Sequence, residues 1–169
     1  MSKLLRSAAM RTSFSCVCRP WGCRAPRAPP RWCTALRVKE AGHGERVCSG
    51  IAYIAPPDRH LLVEPDGTLL LTRTQLVHFV RPSADLLFES VAGSYAERAI
   101  AVVLTGTGTD GALGVKAISE TGGTVIVQDE ASAEYTGMPH AACRYADHVL
   151  PLAEIASALE RLVGSRAAA

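Results

Sequence analysis

The 169-residue chain is 48% apolar and 20% charged with a formal net charge of +2, a composition that fits about one globular domain and excludes a wholly disordered or collagen-like polypeptide. No apolar run approaches the ~20 residues of a membrane span, and no secretory apolar core follows the start. The small net charge hides a split: residues 1–37 hold eight Lys or Arg and no acid, while residues 38–169 hold ten basic and sixteen acidic residues.

Residues 1–37 also carry Pro20, Pro26, Pro29, Pro30 and four of the six cysteines, without a sustained helical or strand period. The expectation is a basic, poorly ordered head ahead of a folded body over residues 38–169. An Arg-rich, acid-free start resembles a mitochondrial transit peptide, and a basic arm can touch nucleic acid or anionic lipid. Cys16, Cys18, Cys23 and Cys33 lack the paired two-residue spacing of zinc sites, so no metal is expected. Cys48 and Cys143 stand singly in the body, which suits a reducing compartment better than a disulfide framework.

In the body, Val38 begins a short strand, Ala41–Glu45 is a loop, and Ile51–Ala55 is a strand ended by Pro56-Pro57. His60–Val63 and Thr68–Thr72 flank Glu64-Pro-Asp-Gly67, which predicts a hairpin with an Asp-Gly turn. His60 and His78 fall near strand or loop ends and read as solvated or edge histidines. Arg81-Pro82-Ser83 opens a helix with Ser83 as its cap, burying a stripe of Leu86, Leu87, Val91 and Tyr95, with Phe88 flanking. Ala99–Leu104 is six apolar residues in a row, a strand buried on both faces. Thr105–Gly111 is all Thr, Gly and Asp. Helical spacing resumes at Leu113, Val115, Ala117 and Ile118, with Asp110 placed to cap the first turn. Thr124–Val127 is a second buried strand, Tyr135–Pro139 turns into a short helix with Pro139 at its first position, Asp147–Leu150 is a last strand, and Leu152, Ile155, Leu159 and Leu162 line a final helix. The alternation predicts an α/β fold: a partial doubly wound, mainly parallel sheet with one β-hairpin.

A strand, a glycine loop and a helix place the Asp110 carboxylate at the carboxyl edge of a parallel sheet, where open α/β folds put their sites. Three readings follow. Asp110 caps its own helix and does nothing more. Alternatively, Gly106-Thr-Gly108-Thr-Asp110-Gly111 fits G-x-G-x-x-G, with Asp129 and Glu130 as ribose-binding acids. A pyrophosphate on that helix amino end would then meet a like charge from Asp110, which argues against a dinucleotide. In the third reading Asp110 orients a histidine in a hydrolase triad.

Several consecutive segments carry a family resemblance. Val38-Lys-Glu-Ala41, Gly44-Glu-Arg-Val47, Gly50–Pro56, His60, Arg81-Pro-Ser-Ala-Asp85 with Leu87-Phe88, Leu104–Gly111, Gln128-Asp-Glu-Ala-Ser132 and Gly137-Met-Pro139 resemble, in order, the CheB-type chemotaxis receptor methylesterases. That resemblance implies hydrolysis of glutamyl methyl esters on chemoreceptors, with glutamine deamidation in some members, by a Ser–His–Asp triad without a cofactor. It puts the triad acid at Asp110 and lines the cleft with backbone at Thr107, Gly108, Gly137 and Met138. Thr107 departs from the Met usual in the family, removing a bulky apolar wall.

The larger departure concerns the other two triad members. The family places its Ser in a Gly-x-Ser-x-Gly-Gly turn and its His in a Gln-His pair, both ahead of the matched segments. Neither occurs in these 169 residues, and none of His43, His60, His78, His140 and His148 follows Gln. The expectation is a C-terminal portion of the esterase domain, inactive as it stands, with a head of out-of-frame origin. A non-catalytic receptor-binding module is the alternative. The expected partner is a methylated chemoreceptor, with no nucleic acid, no membrane insertion and a cytoplasmic location. Lacking the family's first strands, Ala99–Leu104 is expected to expose an apolar edge and residues 38–169 to be poorly soluble or marginally stable.

Overall fold

The strand and helix patterns resolve, in a computed structural model that describes residues 36–167, into short parallel strands joined by helices, with one antiparallel hairpin. The expectations for the basic head lie outside the described residues, save for its last two positions. Three small sheets form. β1 (Arg37–Glu40) pairs in parallel with β2 (Ile51–Ile54). β3 (His60–Val63) pairs antiparallel with β4 (Leu69–Thr72). β5 (Ile100–Val103), β6 (Thr124–Gln128) and β7 (His148–Leu150) form a parallel sheet in that order. The hairpin turn contains the expected Asp-Gly. Gly67 has φ +83°, and the Asp66 carboxylate accepts hydrogen bonds from the Thr68 amide and hydroxyl, closing the turn locally.

β6 is the centre of its sheet, and residues Val125–Gln128 are all buried, as a strand covered on both faces requires. β5 is less enclosed than its sequence predicts. It ends at Val103, alternates half-buried and buried positions, and leaves Leu104 42% exposed. Ile100 and Val102 face a smaller cluster with Ile126, Ile155 and Leu159, while Ala101 and Val103 face the main core.

Helix α1 (Ala84–Tyr95) lies on the hairpin. Ser90 Oγ accepts the Val63 amide and Ser94 Oγ donates to the Val63 carbonyl. Its buried stripe is Ala84, Asp85, Leu87, Val91 and Ala92; Leu86 and Tyr95 are only half-buried. Helix α2 (Ala112–Glu120) crosses α1 with almost no side chain between them: a Cβ on Gly114 would stand 2.6 Å from Phe88 Cβ and 2.9 Å from the Asp85 carbonyl. Glycine is needed there for close approach, and at Gly111 for a φ of +93°. Val115 and Ile118 are fully buried beneath this crossing, whereas Leu113 is exposed. Helix α3 is Gly137–Ala142, so Pro139 falls at its third position rather than its first; the chain turns at Thr136, two residues before the point that proline suggested. Helix α4 (Leu152–Ala167) packs on β6 through Ile155 and Ala158.

Candidate functional site

Asp110 does not cap the helix that follows it. Gly111 occupies the cap position of α2, with no side-chain hydrogen bond. The carboxylate turns to the neighbouring helix and closes the amino end of α1: Oδ1 accepts from the Ser83 hydroxyl at 2.7 Å and the Asp85 amide at 3.3 Å, and Oδ2 accepts from the Ala84 amide at 2.8 Å. Ser83 is the cap residue of α1, as its sequence predicts, but its hydroxyl is spent as a donor to Asp110 instead of accepting from its own helix. The partial positive charge of a 12-residue helix end thereby meets a carboxylate. Oδ2 carries a single hydrogen bond among the described residues and can accept another.

The exchange is reciprocal. Asp85, in the first turn of α1, sends Oδ1 to the Gly114 amide of α2 at 2.8 Å. α2 is therefore capped by an aspartate of α1, and α1 by an aspartate of the loop leading into α2, and the close crossing at Gly114 brings the two ends within reach.

His60 supports this junction from below. It is fully buried, not the solvated or edge histidine its position suggested, because β3 runs beneath the start of α1. Its Nδ1 accepts the Ser83 amide at 3.2 Å, which leaves the ring proton on Nε2 for the Gln75 carbonyl at 3.0 Å. Both ring nitrogens are thus occupied in holding the backbone that carries the Ser83 hydroxyl. Sequence reasoning missed this role, although His60 stands among the family-resembling segments and beside the apolar run Leu61–Val63.

The four residues expected to line a cleft belong to a second, backbone-built cluster. The Gly106 amide donates to the Tyr135 carbonyl at 3.0 Å and the Met138 amide to the Gly106 carbonyl at 2.9 Å. Gly137 sits so close to Gly108 that an added Cβ would lie 2.9 Å from its nitrogen, and a Cβ on Gly106 would collide with the Met138 sulfur. Thr107 and Gly108 are exposed at the loop tip, with Gly108 at φ +82°. Gly108, Gly137 and Met138 are therefore brought together, with Thr107 adjoining them; Asp110 hydrogen-bonds to none of the four. Gln128 fastens the base of this loop. Wholly buried, it accepts the Thr105 amide through Oε1 and donates through Nε2 to the Ser132 carbonyl.

The proposed ribose acids are engaged elsewhere. Asp129 accepts from the Ser132 amide and hydroxyl, and Glu130 pairs with His140 Nδ1 at 2.8 Å. The amino end of α2, where a pyrophosphate would sit, already holds the Asp85 carboxylate. Among the described residues no group of three or more His, Cys, Asp or Glu is placed to hold a metal ion, and Cys48 and Cys143 are free and exposed. No described helix is long and apolar enough to cross a membrane.

Residues 31–159 match the family described as CheB methylesterase. Protein-glutamate methylesterase FrzG of Myxococcus xanthus is 48% identical over 132 residues, 77% of this chain and 40% of that protein. A relative from Leptospira interrogans is 43% identical over 129 residues, 75% of this chain and 67% of its own length. Among solved structures, the Thermotoga maritima CheB methylesterase catalytic domain matches with a TM-score of 0.72 at 39% identity, covering 75% of this chain and 70% of that one. The chain thus spans two fifths of the Myxococcus protein and about two thirds of the Leptospira one.

Proposed function

The chain belongs to the CheB methylesterase family, and we propose that it carries the acid-bearing part of a protein-glutamate methylesterase site, with Asp110 as the group that orients an imidazole. The observation that carries this reading is the setting of Asp110. Three donors at the amino end of α1 fix its plane, while Oδ2 takes only one hydrogen bond among the described residues and has a lone pair left to accept another. A triad acid needs that combination: it must be held rigidly and be able to accept an N–H that locks the tautomer of a histidine and steadies its cation. The substrate is the γ-glutamyl methyl ester of a chemoreceptor, in a bacterial chemotaxis setting in the cytoplasm, and the cleft is lined by the backbone at Thr107, Gly108, Gly137 and Met138.

These 169 residues supply neither the Gly-x-Ser-x-Gly-Gly turn nor the Gln-His pair. A triad without nucleophile and base loses most of its power, whatever the remaining acid does. The chain alone is therefore expected to release no methanol from methylated receptor. Grafted in place of its counterpart in the Thermotoga maritima catalytic domain, residues 36–159 are expected to restore release. A graft that folds but releases none contradicts the reading.

The missing Ser and His motifs favour a second reading, a module that docks on receptor without chemistry. Receptor pull-down by the chain, unchanged in Asp110→Ala, supports it; no capture at moderate salt removes it. A dinucleotide is disfavoured by the occupied amino end of α2 and the engaged Asp129 and Glu130. A titration with NAD is expected to show no binding.

A further inference from the structure

Asp85 has one oxygen more than its capping role uses. Its side chain is 3% exposed. Oδ1 accepts the Gly114 amide, but Oδ2 is the one buried side-chain nitrogen or oxygen among the described residues with no hydrogen-bond partner. A buried, unpartnered carboxylate oxygen is costly. The basic group within 4 Å of it is His78 Nε2, at 3.7 Å.

The segment presenting His78 is itself strained. His78 and Phe79 are the central residues of a tight turn, closed by the Val80 amide on the Val77 carbonyl at 2.9 Å and the reverse bond at 3.3 Å. Their φ values are +48° and +64°. Two-residue turns with positive φ at both centres are normally built from Asn-Gly, since side chains at these angles clash with the backbone. Burial does not offset the strain, because Phe79 is 89% exposed. What the conformation achieves is an imidazole beside the Asp85 carboxylate.

We propose that His78 is a positioning residue for the Asp110 junction: when its ring is protonated, Nε2 forms an ion pair with Asp85 Oδ2, 3.7 Å away, and latches the Val77–Val80 turn onto the joined amino ends of α1 and α2. Deprotonation removes the attraction, because at this separation the pair is held by charge and not by a hydrogen bond. The other charged or titratable groups on the elements around Asp85 are already engaged. Asp110 accepts from α1, His60 bridges Ser83 and Gln75, and Arg81 binds Asp58 and the Arg73 and Thr74 carbonyls. Lys116 of α2 pairs with Glu120, and Glu89 of α1 is exposed. The latch requires no hydrolysis and stands equally for a binding module.

The test is a pH titration of the whole chain by NMR through the histidine range. The Val80 and Gly114 amide resonances are expected to move with the same midpoint as the His78 ring. Val80 exchange, corrected for its intrinsic pH dependence, should be about threefold slower on the acid side, a modest factor because His78 is half-exposed and its pair is screened by solvent. His78→Asn, a residue that tolerates positive φ, is expected to keep the fold and lose the joint titration. Asp85→Asn, which retains an acceptor for Gly114, should uncouple Val80 in the same way; if that variant does not fold, His78→Asn carries the test alone. Amides that ignore the His78 midpoint, or that keep the same response in His78→Asn, overturn the proposal.

Discussion

The amino ends of α1 and α2 are closed by the same chemistry, yet the two aspartates differ in what they leave available. Asp85 is buried under the helix crossing and serves a single amide of α2. Asp110 is half-buried and takes three donors from the start of α1, with a single hydrogen bond on Oδ2 among the described residues. One carboxylate holds the helices together; the other is held by them. Capping by a neighbour thus separates two jobs that a local cap would merge: α1 keeps its amino end satisfied, and the loop carboxylate is fixed in space from outside its own segment.

Substitutions can break this contrast from either side. The largest stability loss is expected for Gly114→Ala, where the new methyl meets Phe88 Cβ and the Asp85 backbone and cannot be relieved by a side-chain rotation. A cost of about 3 kcal/mol, the upper part of the overpacking range, should appear as a lower urea midpoint. Asp85→Ala follows at about 2 kcal/mol, since it strands the Gly114 amide in the interior. Asp110→Ala is expected to cost about 1 kcal/mol, a usual figure for a lost cap whose donors can still find water. Ser83→Ala should cost slightly less, near the ~0.5–1 kcal/mol of a single hydrogen bond. Equal losses for Asp85→Ala and Asp110→Ala would erase the distinction drawn here.

The smallest effect lies far from the junction. Lys39 holds Glu45 below the usual glutamate range through a hydrogen bond of 2.6 Å, helped by the Gly42 amide. Because the folded value is lowered, this stability is fully present above the ordinary glutamate pKa and is lost as pH falls through the lowered one. Replacing Lys39 with Met should flatten that acid-side slope, by less than about 1 kcal/mol for so exposed a pair.

Much of this architecture was legible in the residues. The hairpin announced itself by Asp66-Gly67, and the β5–loop–α2 unit by an apolar run meeting Thr-Gly-Asp; the role of Asp110 at that loop is a proposal. What the sequence could not display were contacts between residues far apart in the chain. Asp110 and its partners Ser83, Ala84 and Asp85 are separated by more than twenty positions, so a cap on the following helix was the nearest reading and the wrong one. His60 looked peripheral because strand position says nothing of what a later helix will cover. The turn at His78-Phe79 carried no glycine, so no local signal marked it. Pro139 misled by two residues because α3 starts from backbone contacts between Gly106 and Met138. The division at residue 37 and the roles of Thr107, Gly108, Gly137 and Met138 remain proposals resting on the family resemblance.

The most direct measurement is the rate of methanol release from methylated receptor by the Thermotoga graft carrying residues 36–159, with Asp110→Asn set against Asp85→Asn. If Asp110 steers a catalytic imidazole, Asp110→Asn should lower kcat by about 10⁴, the factor seen when a triad acid is made neutral. Asp85→Asn should leave kcat within about tenfold, because it acts only through the helix junction. Comparable rates for the two variants, or an Asp110→Asn graft as fast as its parent, would contradict the account.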